Sequence, residues 1–291
     1  MIYRFRPKNY PIFTLTTVEE ILQNHTKGGS CTVTLDMGRT SSKIFFINDL
    51  ICTNAFKIPI CKLKDIKWRE GDIYCYNGEC FLKIAFFGDG KYYRLREVRF
   101  NTAPTLEISG IHMHRIKNIT PWEDSLMKIK LAKIRRGHKV LDICTGLGYT
   151  AILAMLRGAV SVTTIERDIN VLKIAEYNPW SRELADERIK IVVSRAEEYL
   201  PKLPSNHFDR IIHDPPRMAL AGELYSKRFY TETYRVLKPG GIMVHYTGQP
   251  GYLSGKNIIA GVCRRLKEVG FKVKIVKELP GVVCYKPNIN T

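Results

Sequence analysis

The chain has 291 residues, 45% of them hydrophobic and 25% charged, an ordinary globular composition long enough for two domains. No stretch approaches the ~20 apolar residues that span a bilayer, and Met1-Ile2-Tyr3-Arg4 lacks the apolar run of a secretory signal, so a cytoplasmic protein with no membrane partner is expected. The formal charge of +18 concentrates polyanions around the chain, which makes nucleic acid the expected partner and disfavours a polycationic ligand.

The Lys- and Ile-rich, glutamine-poor makeup fits a heat-adapted proteome. Eight cysteines occur, none as C-x-x-C, so no zinc ribbon and no metal are expected. Cys75 and Cys80 flank a hairpin-like Asn77-Gly78 turn and are read as two buried thiols in neighbouring strands.

In chain order, a helix near Val18–Asn24 precedes strand signals at Cys31–Leu35, Lys43–Ile47, Ile73–Tyr76, Phe81–Phe87 and Tyr92–Phe100. Residues 1–119 therefore form a small β-rich domain, sandwich or barrel. Within it, Lys91-Tyr92-Tyr93-Arg94-Leu95-Arg96 interleaves aromatic and basic residues and suits stacking and phosphate contact. Thr120-Pro121-Trp122-Glu123 is a capping box with proline at the first helical position, opening a helix to about Arg136. Lys128, Lys130 and Lys133 on that helix are a second candidate path for RNA.

Residues 120–291 then alternate strand and helix. Strands are read at Lys139–Asp142, Ser161–Glu166, Ile189–Val193, Phe208–His213 and Ile242–His245, with helices from Tyr149 and Asp168 and over Glu223–Leu237 and Asn257–Val269. A closing strand pair runs from Phe271 to Lys286. The alternation predicts an α/β, Rossmann-like domain: a mostly parallel sheet ending in an antiparallel hairpin.

The first of these strands runs into Asp142-Ile143-Cys144-Thr145-Gly146-Leu147-Gly148. Its glycines let backbone approach a ligand lying across the strand ends. The second strand ends at Glu166, a carboxylate placed to accept from two ribose hydroxyls. Gly146-Leu147-Gly148-Tyr149-Thr150-Ala151 also fits a dinucleotide fingerprint, but Asp142 suits a ligand bearing ammonium and sulfonium and would repel a pyrophosphate. Asp-x-x-x-Gly-x-Gly resembles the first motif of class I S-adenosylmethionine (SAM)-dependent methyltransferases, and Arg235-Val236-Leu237-Lys238-Pro239-Gly240-Gly241 resembles that superfamily's approach to its fifth strand. The resemblance covers roughly residues 121–286. It implies SAM as cofactor, held by Asp142, Thr145, Gly146, Gly148, Glu166 and Arg167, with Arg195, Ala196 or Glu197 cupping the adenine after the third strand, and Asp214 at its edge.

The fourth strand ends in His213-Asp214-Pro215-Pro216-Arg217, similar to the Asp/Asn-Pro-Pro-aromatic motif of methyltransferases acting on exocyclic amines. Such an amine's lone pair is delocalised, and two acceptors, the Asp214 carboxylate and Pro215 carbonyl, would turn it toward the methyl group. The catalytic set implied is Asp214, Pro215, Pro216 and Arg217. Arg217 replaces the family's aromatic residue; Tyr225, Tyr230, Tyr246 or Trp180 could supply that face, and His213 and His245 are read as structural. Together with Asn178-Pro179-Trp180-Ser181, Ala221–Ser226 and His245–Gly248, these motifs resemble an archaeal family similar to N4-cytidine methyltransferases of small-subunit ribosomal RNA. RNA is the partner implied; the oligomeric state is open. Guanine-N2 or adenine-N6 methylation, aminopropyl transfer to a polyamine, and a non-catalytic RNA-binding role are the alternatives.

Overall fold

The computed structural model describes residues 1–248, 258–276 and 278–288. Asn257, where a helix was expected to start, and Lys277, inside the expected strand pair, lie outside the described residues. The chain divides into two compact units: Met1–Phe5 with Glu123–Leu172 and Glu183–Thr291, and Arg6–Trp122 with Lys173–Arg182. This division is discontinuous, unlike the single cut expected after residue 119.

The first unit is built on an eight-stranded sheet. Its strands are β1 (Ile2–Tyr3), β2 (Lys139–Ile143), β3 (Ser161–Glu166), β4 (Ile189–Val193), β5 (Phe208–His213), β6 (Leu237–Tyr246), β7 (Lys272–Val276) and β8 (Gly281–Tyr285). Their spatial order is β1-β4-β3-β2-β5-β6-β8-β7. Strands β2 to β6 run parallel, and β7 and β8 close the sheet as an antiparallel pair. This is a Rossmann-like, class I SAM-dependent methyltransferase fold. The order reverses between β2 and β5, and the carboxyl ends of those strands frame the crevice where open α/β sheets take ligands.

The helices of this unit are α1 (Pro121–Ala132), α2 (Tyr149–Leu156), α3 (Ile169–Ala175), α4 (Ala196–Tyr199), α5 (Lys227–Val236) and α6 (Ile258–Val269), of which the division cuts α1 and α3. α1 ends four residues before the expected Arg136, because Lys133 takes a left-handed φ of 51°. The helix expected over Glu223–Leu237 is instead a 3₁₀ turn at Gly222–Tyr225 followed by α5. Ser226 separates them, its Oγ capping α5 by accepting the Phe229 N–H at 3.1 Å. β6 starts five residues earlier than its apolar run suggests, since Leu237 already pairs with Phe208 and the Pro-Gly-Gly segment is absorbed as an irregularity in the register. On one face of the sheet Leu141, Ile211, Met243, Val282 and Cys284 pack with Phe229, Tyr230 and Leu266 of α5 and α6, all 2% exposed or less. Each such side chain stabilises the fold by about 1.5–3 kcal/mol.

The second unit holds a helix over Leu15–His25 and three small antiparallel sheets, in place of one sandwich or barrel. The expected strand Phe81–Phe87 breaks at Ile84, where the chain passes between sheets: the Ile84 N–H donates to Ile73 O, and its carbonyl accepts from the Leu95 N–H. Of the two cysteines flanking the Asn77 turn, Cys75 is buried but Cys80 is exposed, and no disulfide joins them.

The basic-aromatic strand, Lys91–Arg96, also departs from expectation. Arg94 donates to both oxygens of Glu107 at 2.8 and 2.9 Å and lies 3.5 Å from Asp72. Arg96 lies 3.6 Å from Glu107. The Glu107 hydrogen bonds, reinforced by charge, hold the Arg94 guanidinium above its ordinary pKa and the Glu107 carboxyl below its own. The two arginines expected to meet phosphates are thus committed to internal carboxylates.

Candidate active site

The loop after β2 turns through three left-handed residues: Cys144 (φ 73°), Gly146 (φ 53°) and Gly148 (φ 80°). The Cys144 and Thr145 N–H groups donate to Ile165 O, and the Gly148 N–H to Thr145 O at 2.7 Å, fixing the loop across the ends of β2 and β3. The two glycines serve different ends. A Cβ on Gly148 would lie 2.5 Å from Leu184 Cδ1, so packing forbids a side chain there. A Cβ on Gly146 would meet nothing within 4 Å, leaving backbone open to a ligand.

Three carboxylates converge at these strand ends. Asp142 is fully buried; its Oδ2 accepts from the Thr164 hydroxyl at 2.7 Å, and Thr145 in turn donates to Thr164 at 2.6 Å. Asp142 Oδ1 has no hydrogen-bond partner among the described residues. Burial pushes its carboxyl up to about 7, against the weaker pull of the Thr164 and Thr150 hydroxyls and Lys128. Glu166 accepts the Gly146 N–H on Oε2 at 3.1 Å and the Asp168 N–H on Oε1 at 3.0 Å. It braces the loop as well as facing it. These residues fit SAM: an orphaned buried oxygen on Asp142 calls for a cationic donor, Gly146 offers open backbone, and each Glu166 oxygen keeps a lone pair for a hydroxyl.

Asp214 ends β5 beside the loop, its N–H donating to Ile143 O at 3.3 Å. Its Oδ2 lies 2.5 Å from Nζ of Lys128, which also reaches Asp124 Oδ2 at 2.8 Å. The Lys128 ammonium sits over the Tyr246 ring, 4.6 Å from its centroid. Burial alone would lower the lysine's pKa, but Asp214 and Asp124 more than offset it and hold Lys128 above its ordinary value. Burial raises the Asp214 carboxyl, the Lys128 charge opposes this, and Asp124 adds to it. Lys128, 2% exposed, is therefore a site residue and leaves the set of surface lysines expected to track RNA. The i,i+4 spacing of Asp124 and Lys128 was visible in the sequence, but nothing there aimed the pair at Asp214.

Pro215 is buried, and no described residue donates to its carbonyl. The Pro216 carbonyl accepts from the Tyr225 hydroxyl at 2.8 Å. Arg217 is exposed, beyond the buried turn. Of the aromatic residues considered for stacking, Tyr246 lies against Lys128, and the Tyr225 hydroxyl feels the Asp214 charge. Tyr225 and Tyr230 are buried, and Tyr230 hydrogen-bonds His245 at 3.0 Å. Trp180 belongs to the second unit, where its indole N–H donates to Met37 O at 3.1 Å.

Burial pushes His213 down to about 4 and His245 well below its ordinary value, so both rings are neutral. Arg195 and Glu197, two of the three residues considered for the adenine rim, pair with each other at 2.6 Å. Arg195 and Arg167 each approach Glu223 at 3.7 Å, while Ala196 is buried at the start of α4. Cys144, unremarked in the sequence, joins the site: burial, then Glu166, Asp214 and Asp142, hold its thiol well above the ordinary value.

Residues 124–265 match a family model described as "Conserved hypothetical protein 95". The "Uncharacterized protein MJ1233" of Methanocaldococcus jannaschii is 50% identical over 228 residues, covering 77% of each chain. The chain belongs to that protein's family. Outside it, a polyamine aminopropyltransferase of Prochlorococcus marinus (strain AS9601) is 26% identical over 215 residues, 71% of this chain and 73% of the relative. A spermidine synthase solved with the transition-state analogue AdoDATO superposes with a TM-score of 0.55 at 23% identity, over 71% of this chain and 75% of that one. The MJ1233 family thus carries the fold shared by SAM-dependent methyltransferases and spermidine synthase. No helix among the described residues is long and apolar enough to cross a membrane.

Proposed function

We propose that the chain transfers a methyl group from SAM to an exocyclic amine of an RNA base, with N4 of cytidine in ribosomal RNA as first choice, once or twice. The observation that supports this is the Lys128–Asp214 pair. Lys128 occupies Oδ2 of Asp214, so the other carboxylate oxygen and the unengaged Pro215 carbonyl are the two acceptors left for a neutral Ar–NH₂ group. Accepting both N–H bonds turns the nitrogen lone pair out of conjugation and toward the donor. SAM, when bound, supplies the electrophilic methyl. Asp142 would hold its ammonium, Glu166 its ribose and the Gly146 backbone its body. The nitrogen becomes cationic as the new N–C bond forms, and Asp214 Oδ1 takes its proton; the partly buried carboxyl, raised in pKa, suits that task.

A second reading, aminopropyl transfer to an aliphatic polyamine, is favoured by the named relatives. The same acceptors would serve an alkylamine. Against it stands the +18 charge of the chain; Lys128 adds nothing to that, because Asp124 and Asp214 outnumber it. Guanine-N2 and adenine-N6 methylation use the same geometry and remain within the first reading's chemistry.

The test is a paired incubation with labelled SAM and ribosomal RNA, and with labelled decarboxylated SAM and putrescine or spermidine, read by mass spectrometry of nucleosides and amines. N-methylated nucleoside is the expected product. Label in a longer polyamine would replace the first reading with the second.

A further inference from the structure

Away from the crevice, α1 and the β7–β8 pair enclose a groove of about 530 Å³ lined by Lys130, Lys133, Lys274, Tyr285 and an apolar floor that includes Val283. Its origin is the sheet's alternation. Val273, Val282 and Cys284 point into the core under α5 and α6, while Lys274, Val276, Val283 and Tyr285 fall on the opposite face, which α1 flanks with its last turn. Lys130, Lys133 and Lys274 are exposed, and the only acidic side chain on the lining is Glu278. No described carboxylate forms a salt bridge with any of the three lysines. This contrasts with Arg94 and Lys128, which internal carboxylates neutralise. The groove also adjoins the candidate site through the chain: Lys130 and Lys133 follow Lys128 within five residues, roughly 3–8 Å of rise along α1 and its end. On the far side, Thr247, directly after Tyr246, donates to Pro280 O at 2.9 and 3.1 Å, tying the β7–β8 turn to the end of β6.

We infer that this groove is the track for the RNA strand, with Lys130, Lys133 and Lys274 on its phosphates and Tyr285 offering a ring to an unpaired base. The assignment rests on the RNA reading above and moves the nucleic-acid path from the Arg94 strand to the sheet face beside α1. Three lysines along a groove with an aromatic wall match a single strand's spaced charges and flat bases. An acidic protein would need no aromatic wall.

The test is fluorescence anisotropy with a labelled 20-nucleotide single-stranded RNA between 50 and 300 mM salt. It compares the unmodified protein, the triple variant Lys130→Ala/Lys133→Ala/Lys274→Ala, and a control of equal charge loss, Lys173→Ala/Lys190→Ala/Lys202→Ala. The groove variant should lose at least about tenfold in affinity and about 2 from the slope of log affinity against log salt, at ~0.7 per phosphate. The control should lose far less, and SAM binding by calorimetry should be unchanged in both. Equal losses in the two variants, or displacement of the RNA by polyglutamate as readily as by unlabelled RNA, overturn the groove assignment. Failure of the unmodified protein to bind RNA, with SAM binding intact, overturns the RNA reading itself.

Discussion

Lys128 Nζ and Asp214 Oδ2 stand 2.5 Å apart, 86 residues apart in sequence, and the same ammonium holds Asp124 at 2.8 Å. Removing either partner therefore does different things. Asp214→Asn keeps the shape, leaves Lys128 paired with Asp124, and should leave SAM affinity nearly unchanged while removing most transfer, since only the nucleophile's acceptor is lost. Lys128→Met strands two carboxylates and should destabilise the protein by about 3–5 kcal/mol. Urea melts and single-turnover assays separate the two; a large loss of SAM affinity in Asp214→Asn would remove Asp214 from the acceptor role.

Asp142 makes stability depend on pH in a definite direction. Its folded carboxyl sits near 7 against an ordinary value of 3.8, so the folded state holds the extra proton between those values. Its contribution is fully present below about pH 4 and is lost as pH rises through 7. Asp142→Asn should thus leave stability at pH 4 unchanged and raise it at pH 8 by about 2–4 kcal/mol, while abolishing SAM binding. In the unmodified protein, SAM affinity should rise from pH 5.5 to 7 with release of a proton, measurable by calorimetry in buffers of different ionisation heat. A flat profile there would exclude Asp142 as the ammonium's partner.

Gly146 and Gly148 should respond differently to the same substitution. Gly148→Ala drives a methyl group into Leu184 and should cost about 3 kcal/mol of stability, partly restored by Leu184→Ala. Gly146→Ala projects into open space, so only its φ of 53° is strained, about 1–2 kcal/mol. Its main effect should be on SAM affinity. Thermal melts with and without SAM distinguish the pair, and equal behaviour would contradict the division of labour.

Arg94→Ala should behave as a stability variant. It removes the two-pronged hydrogen bond to Glu107, 5% exposed, leaving Arg96 at 3.6 Å and His112 at 3.0 Å as partners, and should cost about 1–3 kcal/mol, with the salt slope of RNA binding unchanged. A lower slope with normal stability would return the second unit to the RNA path.

The α/β half of the fold was legible because its signals are local. Each parallel strand is a short apolar run bounded by turn residues, and Asp142, Glu166 and Asp214 each fall at or near a strand's end. What could not be read was partnership across the sheet. Lys128 and Lys130 are two residues apart on one helix, yet one is buried against Asp214 and the other lines an open groove. Arg94 looked like a phosphate ligand because its partner Glu107 lies on the neighbouring strand, 13 residues on. The second unit was least legible: strands of three or four residues, such as Leu50–Cys52 and Thr105–Ile108, are too short to show a period.

The strand Ile2–Tyr3 pairs with Ile191 and Val192, and the Met1 ammonium donates to Val193 O across 192 residues of sequence. That edge is synthesised well before its partner, with β2 and β3 between them. Everything from Arg6 to Trp122 is synthesised in the interval, so the β-rich unit has time to fold before the large sheet can be finished. Strand β1 can join the sheet only once β4 has emerged, a long loop closure that the neighbouring parallel strands do not face. Refolding from denaturant has no such order of appearance, yet it must close the same loop.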